Sequence, residues 1–278
     1  MSIDINAVEP ISYEKSYVAF LDVLGFKNLV FSNSSESKNK INQYFGIVNS
    51  AIEYLSSIPS KRSIGSIIIS DSVILSVPHG TNVEENIDTL RHLCIAVGII
   101  QQHLALKDIW LRGAISSGDT FFDAIKGQIV GPAYINAYLL EEESAIFPRV
   151  ILDGKIIKEL NFSNASDFIS RMNKDDEGGL RYSNWASPII FNWNYPNGKT
   201  VEHIEQDLPL FIDYLSPIAT SNNNLLTVIK NIENNIYQKP SIYIKFRWIA
   251  NYLKATLEKW RLNHIDISSE ALFKLNNL

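Results

Sequence analysis

The 278-residue sequence predicts an α+β fold: a central sheet covered by helices on one face, followed by a C-terminal helical extension. Three observations carry this. Apolar β-branched runs at 17–23, 64–77 and 109–115 have the length and composition of strands. Stretches of helical periodicity at 40–55, 84–107 and 134–143 interleave with them, so the order is β, α, β, β, α, β. Beyond residue 160 two more helical stripes close the chain, one through Leu225, Val228, Ile229, Ile232 and Ile236, the other through Phe246, Ala250, Leu253, Leu257 and Trp260. The expected organisation is a core over 1–160 and an extension over 161–278, with loops and two closing helices packed on the core.

The first strand ends where Gly25 and a polar stretch break the apolar pattern. Residues 64–77 read as a hairpin at the centre of a sheet, with Ser70, Asp71 and Ser72 at its tip and apolar residues on both sides of the alternation, as in strands covered on both faces. The helix over 84–107 sets Leu90, Leu93, Cys94, Val97, Ile100 and Leu104 on one stripe, with acidic residues at its start and a lysine at its end, which suits the helix dipole. The glycine-bearing segment 116–131 then leads into the helix over 134–143. Residues 173–179 and 194–198 read as turns, and Pro240 separates the closing helices.

Apolar residues at 46% and charged residues at 20% are ordinary globular composition. A net charge of −5 and a pI near 5.6 lack the basic excess of a nucleic-acid binder. No apolar run approaches the ~20 residues that span a bilayer, and the acidic start is unlike a signal peptide, so the expectation is a cytoplasmic chain with no membrane partner. A lone Cys94 excludes an intramolecular disulfide and a thiolate metal cluster.

Two aspartates stand out because each interrupts or ends an apolar strand. Asp22 follows Phe20 and Leu21; Asp71 sits at the hairpin tip, where aspartate is also a common turn former. Ionised carboxylates beside a packed core are costly unless paired or bound to a cation. Adjacent strands would bring both to one sheet edge, where hard divalent cations take oxygen ligands. Gly25 after the first strand would let backbone N–H groups at the next helix start approach a phosphate, although most such glycines are only turns.

Four segments in order, FLDVLGF at 20–26, ISDSV at 69–73, LRGAISSG at 111–118 and GPAYINAYLLE at 131–141, resemble the successive motifs of the class III nucleotidyl cyclases. The last of them, with KFRWIAN at 245–251, is similar to the bacterial pyrimidine cyclases of Pycsar antiphage defence. The resemblance implies a ferredoxin-like catalytic core and two Mn²⁺ or Mg²⁺ ions held by Asp22, Asp71 and the backbone carbonyl of Val23. It implies a homodimer with active sites between head-to-tail chains, the sheet face left bare by the helices serving as the interface. Phe20, Leu24, Gly25 and Phe26 fall in its substrate-binding segment. The base-reading positions become Ile67 and Gln128; neither offers the charged side chain a purine specialist would need, which favours a pyrimidine, UTP ahead of CTP. The product, cyclic UMP, would be a second messenger sensed by a separate effector protein.

One part of the pattern departs. The transition-state asparagine and arginine of the family fall on Ile135 and Leu139, and a shift of one residue recovers Asn136 but leaves Leu140 in place of the arginine. Compensating charge must come from elsewhere. Arg112 and Arg149 are the catalytic candidates, with Lys126 behind them. Each has a plain alternative: Arg112 as the end of a strand, Arg149 as a partner of Asp153, Lys126 as solvated loop. Tyr138 and Glu141, one turn apart, either frame the pocket or pack beneath it. The C-terminal aromatics Tyr243, Phe246, Trp248, Tyr252 and Trp260 read as core and interface. The glycine spacing at 113–120 mimics a P-loop, but Asp119 replaces the lysine. The five histidines lack zinc spacing, no nucleophile elbow is present, and Leu24 stands where a haloacid-dehalogenase phosphatase needs its second aspartate. The competing readings are a cytidylate cyclase, a purine cyclase that reads its base through main-chain groups, and a degenerate domain that binds nucleotide without turnover.

Overall fold

The computed structural model describes residues 10–57, 63–174, 188–192, 210–262 and 267–278. The turn predicted at 194–198 and most of that at 173–179 lie outside the described residues. The first half runs β1 (Glu14–Val23), α1 (Phe26–Ser32), α2 (Ser35–Ser57), β2 (Gly65–Ile69), β3 (Ser72–Pro78), α3 (Val83–Ala105), β4 (Leu111–Asp123), β5 (Gln128–Val130), α4 (Pro132–Ser144) and β6 (Val150–Leu152). Then come α5 (Lys155–Glu159), α6 (Ala165–Met172), α7 (Leu215–Ala219), α8 (Asn222–Ile236), α9 (Pro240–Leu262) and α10 (Ser269–Asn276).

The sheet order is β2-β3-β1-β4-β5, with β6 parallel to β4. The hairpin expected at the centre of the sheet therefore lies at its side, with β2 as the edge strand, paired with β3. The first four strands are antiparallel neighbours in the arrangement of a β-α-β-β-α-β ferredoxin-like unit. Alternation along β1 decides what each face holds. Tyr17, Ala19, Leu21 and Val23 join Tyr44 and Val48 of α2 and Leu90, Leu93 and Val97 of α3 in the largest core cluster. Cys94 is buried in the same cluster. Val18 and Phe20 point the other way.

That second face is not left bare, which corrects the expected interface. Ala133 and Ala137 of α4 pack on Val18, Phe20, Ile67 and Ile74, and Phe122 and Ile129 of the β4–β5 hairpin close over the same cluster. Small residues at 133 and 137 let the helix approach the sheet closely. Farther along, Ala114 and Ile151 of the sheet and Trp110 join Leu225, Ile229, Phe246, Tyr252 and Leu253 of the closing helices.

Two stretches differ from expectation. Residues 116–123, polar and glycine-bearing, continue β4 because the N-terminal half of β1 pairs with them, from Ser16↔Gly118 to Glu14↔Thr120. Their polar side chains find local partners: Ser116 donates to Asp153 at 2.8 Å and Ser117 lies 3.2 Å from a ring nitrogen of His79. The false P-loop is therefore strand. Strand β6, only three residues long, gives no periodic signal of its own.

A Cβ at Gly113 would lie against the Phe20 carbonyl oxygen and 2.9 Å from Leu21 Cδ2. Gly113→Ala is therefore expected to cost about 1–3 kcal/mol by overpacking. Urea unfolding with an unchanged midpoint would refute this close packing of β4 on β1.

Candidate active site

Asp22 is the penultimate residue of β1, opposite Ser72 on β3 and Arg112 on β4. Asp71 occupies the β2–β3 turn, shaped by Ser70 in the left-handed region at φ 58°. The Val23 N–H donates to the Asp71 carbonyl at 3.1 Å, tying the turn to the end of β1. Two carboxylates therefore sit at neighbouring strand ends.

Arg112 and Glu141 complete a charged cluster. Arg112 Nε–H donates to Asp22 Oδ2 at 3.3 Å, and the same nitrogen lies 2.8 Å from Glu141 Oε1. Glu141 reaches it from the third turn of α4 and is 3% exposed, whereas the Asp22 and Arg112 side chains keep about a quarter of their surface, 22% and 27%. Burial pushes the Glu141 carboxyl up to about 7, Arg112 opposing and Asp22 reinforcing the rise. Burial likewise raises Asp22, with Arg112 pulling down and Asp71 pushing up. Lys245 of α9 contributes a further positive charge to both carboxylates.

The donor chemistry suits a hard divalent cation. Among the described residues no group of three or more His, Cys, Asp or Glu side chains is placed to hold a metal. Asp22 and Asp71 would supply two carboxylates, with phosphate oxygens and water completing the shell, as is usual for Mg²⁺. Their mutual repulsion is what such an ion would relieve. Tyr44 of α2 gives a second, independent observation: its hydroxyl is buried with no hydrogen-bond partner among the described residues. Burial, then the charges of Asp71 and Asp22, drive its pKa upward, so both carboxylates act on this hydroxyl. A buried polar group without a partner is costly, and a hydrated ion at the aspartates would supply one.

The other expected residues are distributed unevenly. Gly25 takes φ 76° at the start of α1, a conformation that favours glycine. Leu24 donates its N–H to the Trp110 carbonyl at 2.8 Å and packs toward the closing helices. Phe26 is buried against Tyr44, ring centroids 5.8 Å apart. Phe20 is buried beside Tyr134 and Tyr138, at 6.1 and 5.4 Å. Ile67 is buried in that same apolar cluster.

Arg149 is seated elsewhere, nearly inaccessible, its guanidinium 5.2–5.6 Å from the ring centroids of Phe147, Phe211 and Trp248. Its suggested partner Asp153 engages Ser116 and Lys155. Lys126 and Gln128 belong to the exposed β4–β5 hairpin, Lys126 3.6 Å from Asp123. Since Thr120 pairs with Glu14, eight residues before Asp22, the hairpin starts roughly 25 Å along β1 from the aspartates. On α4, Ile135, Tyr138 and Leu139 form an exposed apolar stripe, with Asn136 partly covered beside them. Phe246, Trp248 and Tyr252 are core, while Tyr243 is exposed beside Arg247. Glu141, one turn beyond Tyr138, gives no sign in the sequence of its burial beside Arg112. Tyr44 carries no local signal, and Lys245 is marked in the sequence only as the first residue of the KFRWIAN segment.

No family model matches the sequence, and no curated protein matches it. Solved structures similar to it include the guanylyl cyclase Cya2, 12% identical over 55% of this chain and 81% of that one, TM-score 0.39. A bacterial light-regulated adenylyl cyclase is 20% identical over 56% of this chain and 48% of that one, TM-score 0.38. A class III adenylyl cyclase-like ATP-binding protein from Pseudomonas aeruginosa is 12% identical over 60% of this chain and 39% of that one, TM-score 0.40. The chain spans less than half the length of the last two.

Proposed function

We propose that this chain is a metal-dependent pyrimidine nucleotide cyclase, converting UTP to cyclic UMP and pyrophosphate. The observation that carries the reading is the pair Asp22 and Asp71 at adjacent strand ends, bound together by the Val23 to Asp71 hydrogen bond and flanked by Arg112. The divalent ions, Mn²⁺ or Mg²⁺, would lower the pKa of the ribose 3′-hydroxyl and neutralise phosphate charge. Asp22 and Asp71 would hold them. The 3′-hydroxyl would release its proton to solvent as its oxygen bonds to the α-phosphorus, while the bond from that phosphorus to the bridging oxygen breaks and pyrophosphate departs with the electron pair. Arg112, kept beside Asp22 by Glu141, offers fixed positive charge where phosphoryl charge develops. The pyrimidine choice rests on the resemblance, which sets Ile67, a side chain without hydrogen-bonding groups, where a purine specialist needs one.

A homodimer belongs to the proposal. The stripe Ile135, Tyr138 and Leu139, with fully exposed Ile125 at the hairpin tip, is apolar surface that a second copy would cover. Head-to-tail packing would also deliver Lys126 and Gln128 of one copy to the aspartates of the other, which they do not reach within one chain. No described helix is long and apolar enough to cross a membrane. The proposed setting is the cytoplasm, with cyclic UMP sensed by a separate effector during antiphage defence. The apolar Ile135 and Leu139, where the family pattern has its transition-state pair, favour a second reading, a domain that binds nucleotide without turnover.

Purified protein with Mn²⁺ and each of ATP, GTP, CTP and UTP, products resolved chromatographically, separates these. Cyclic UMP is the expected product. Chiefly cyclic CMP moves the assignment to a cytidylate cyclase, and a purine product removes the pyrimidine reading. Binding without product leaves only the second reading.

A further inference from the structure

The start of α9 is held over the end of β1 by a short chain of contacts. Phe246 is buried edge-on against Trp110, ring centroids 5.4 Å apart. The Trp110 carbonyl accepts from the N–H of Leu24, two residues past Asp22. Lys245, the neighbour of Phe246, is thereby set within electrostatic range of the charged cluster: burial, then Arg112, lower its pKa, and Asp22 and Glu141 oppose the fall.

The two cations there are not equivalent. Arg112 is committed, bridging Asp22 and Glu141. Lys245 is half-buried, and among the described residues no hydrogen bond or ion pair within 4 Å holds its ammonium. A compact charge on a flexible stem, partly dehydrated and uncommitted near Asp22 and Glu141, is suited to an incoming polyanion. The exposed face of α4 offers no cation, since Ile135 and Leu139 are aliphatic.

Resting on the metal–triphosphate reading above, we infer that Lys245 is a further catalytic residue: its ammonium binds the phosphate oxygens of a nucleoside triphosphate at the Asp22–Asp71 site. The extension thereby supplies to its own core the positive charge that α4 lacks. Lysine binds phosphate as a point charge, so arginine at 245 should serve nearly as well.

The test uses the full chain, with inorganic tripolyphosphate plus Mn²⁺ as a probe that has neither base nor ribose, followed by Mn²⁺-UTP and Mn²⁺-CTP. Lys245→Gln is expected to weaken tripolyphosphate binding about 10- to 100-fold and to leave the affinity for Mn²⁺ alone unchanged. Lys245→Arg should stay within about threefold of the parent. Lys245→Met, which keeps the apolar stem, should behave like Lys245→Gln. Undiminished binding by Lys245→Gln and Lys245→Met, while Asp71→Ala loses it, overturns the role of Lys245 and leaves the metal–phosphate reading standing. Absence of Mn²⁺-dependent binding of tripolyphosphate and nucleotides in the parent overturns both. Loss of folded signal in all three variants also overturns it, because the side chain would then be holding α9 in place.

Discussion

Asp71→Ala is expected to lower turnover on the order of a thousandfold or more, about 4 kcal/mol of transition-state stabilisation, with the fold intact. The fold should survive because the turn depends on the backbone of Asp71. The carbonyl accepts from Val23, and the left-handed residue is Ser70. The carboxylate is partly exposed, and its charge adds to burial in raising the pKa of Asp22. Removing it relieves a repulsion, so stability should change by less than about 0.5 kcal/mol. Asp71→Asn keeps the shape and should lose turnover as well, since neutral amide oxygen is a poorer ligand for a hard cation than carboxylate. Product formation at a tenth of the parent rate by either variant, with thermal unfolding unchanged, would remove Asp71 from the machinery.

The second large effect falls on stability. Arg112→Met leaves the buried Glu141 and the partly buried Asp22 without their bridging counter-charge. Breaking a buried ion pair by deleting one partner typically costs about 3–5 kcal/mol, and the partial exposure of Arg112 brings the expectation to about 2–4 kcal/mol at pH 8. The loss should depend on pH. The folded Glu141 carboxyl titrates near 7, above its ordinary 4.5, so the folded state holds the proton after the unfolded state has released it. Its contribution to stability is therefore full below about 4.5 and declines as pH rises through 7. At pH 5 Glu141 is mostly protonated, and loss of Arg112 should cost roughly half as much or less. Adding Glu141→Gln to Arg112→Met should recover most of the deficit at pH 8 without restoring turnover. Urea unfolding of the single and double variants at both pH values measures this. A deficit identical at pH 5 and 8, unrelieved by the second substitution, would show that Arg112 packs and does not compensate charge.

Much of the first half of the fold was legible because its elements obey one period each. β1, the β2–β3 hairpin and α3 follow the expected ranges closely. The aspartates were legible for the complementary reason: each breaks an apolar pattern, and a broken pattern is itself a signal. Where polarity and geometry disagree, local reading failed. Residues 116–123 look like loop but complete a strand, because β1 is long enough to pair with them. Arg149 looked like a spare cation near the motifs, yet it lies among three aromatic rings contributed by residues as far apart as 147 and 248.

By itself the sequence determined the order of the main strands and helices of the first half and of the two long closing helices, the apolar stripes that bury them and the positions of Asp22 and Asp71. Those follow from periodicity and from the cost of placing charge beside a core, both local properties. Only the tertiary structure decided which charges meet the aspartates. Arg112 is 90 residues from Asp22 in the chain, Glu141 comes from α4 and Lys245 from α9, and each is brought there by packing of its neighbours on the sheet. Electrostatic partnership falls off with distance in space and is indifferent to distance along the chain.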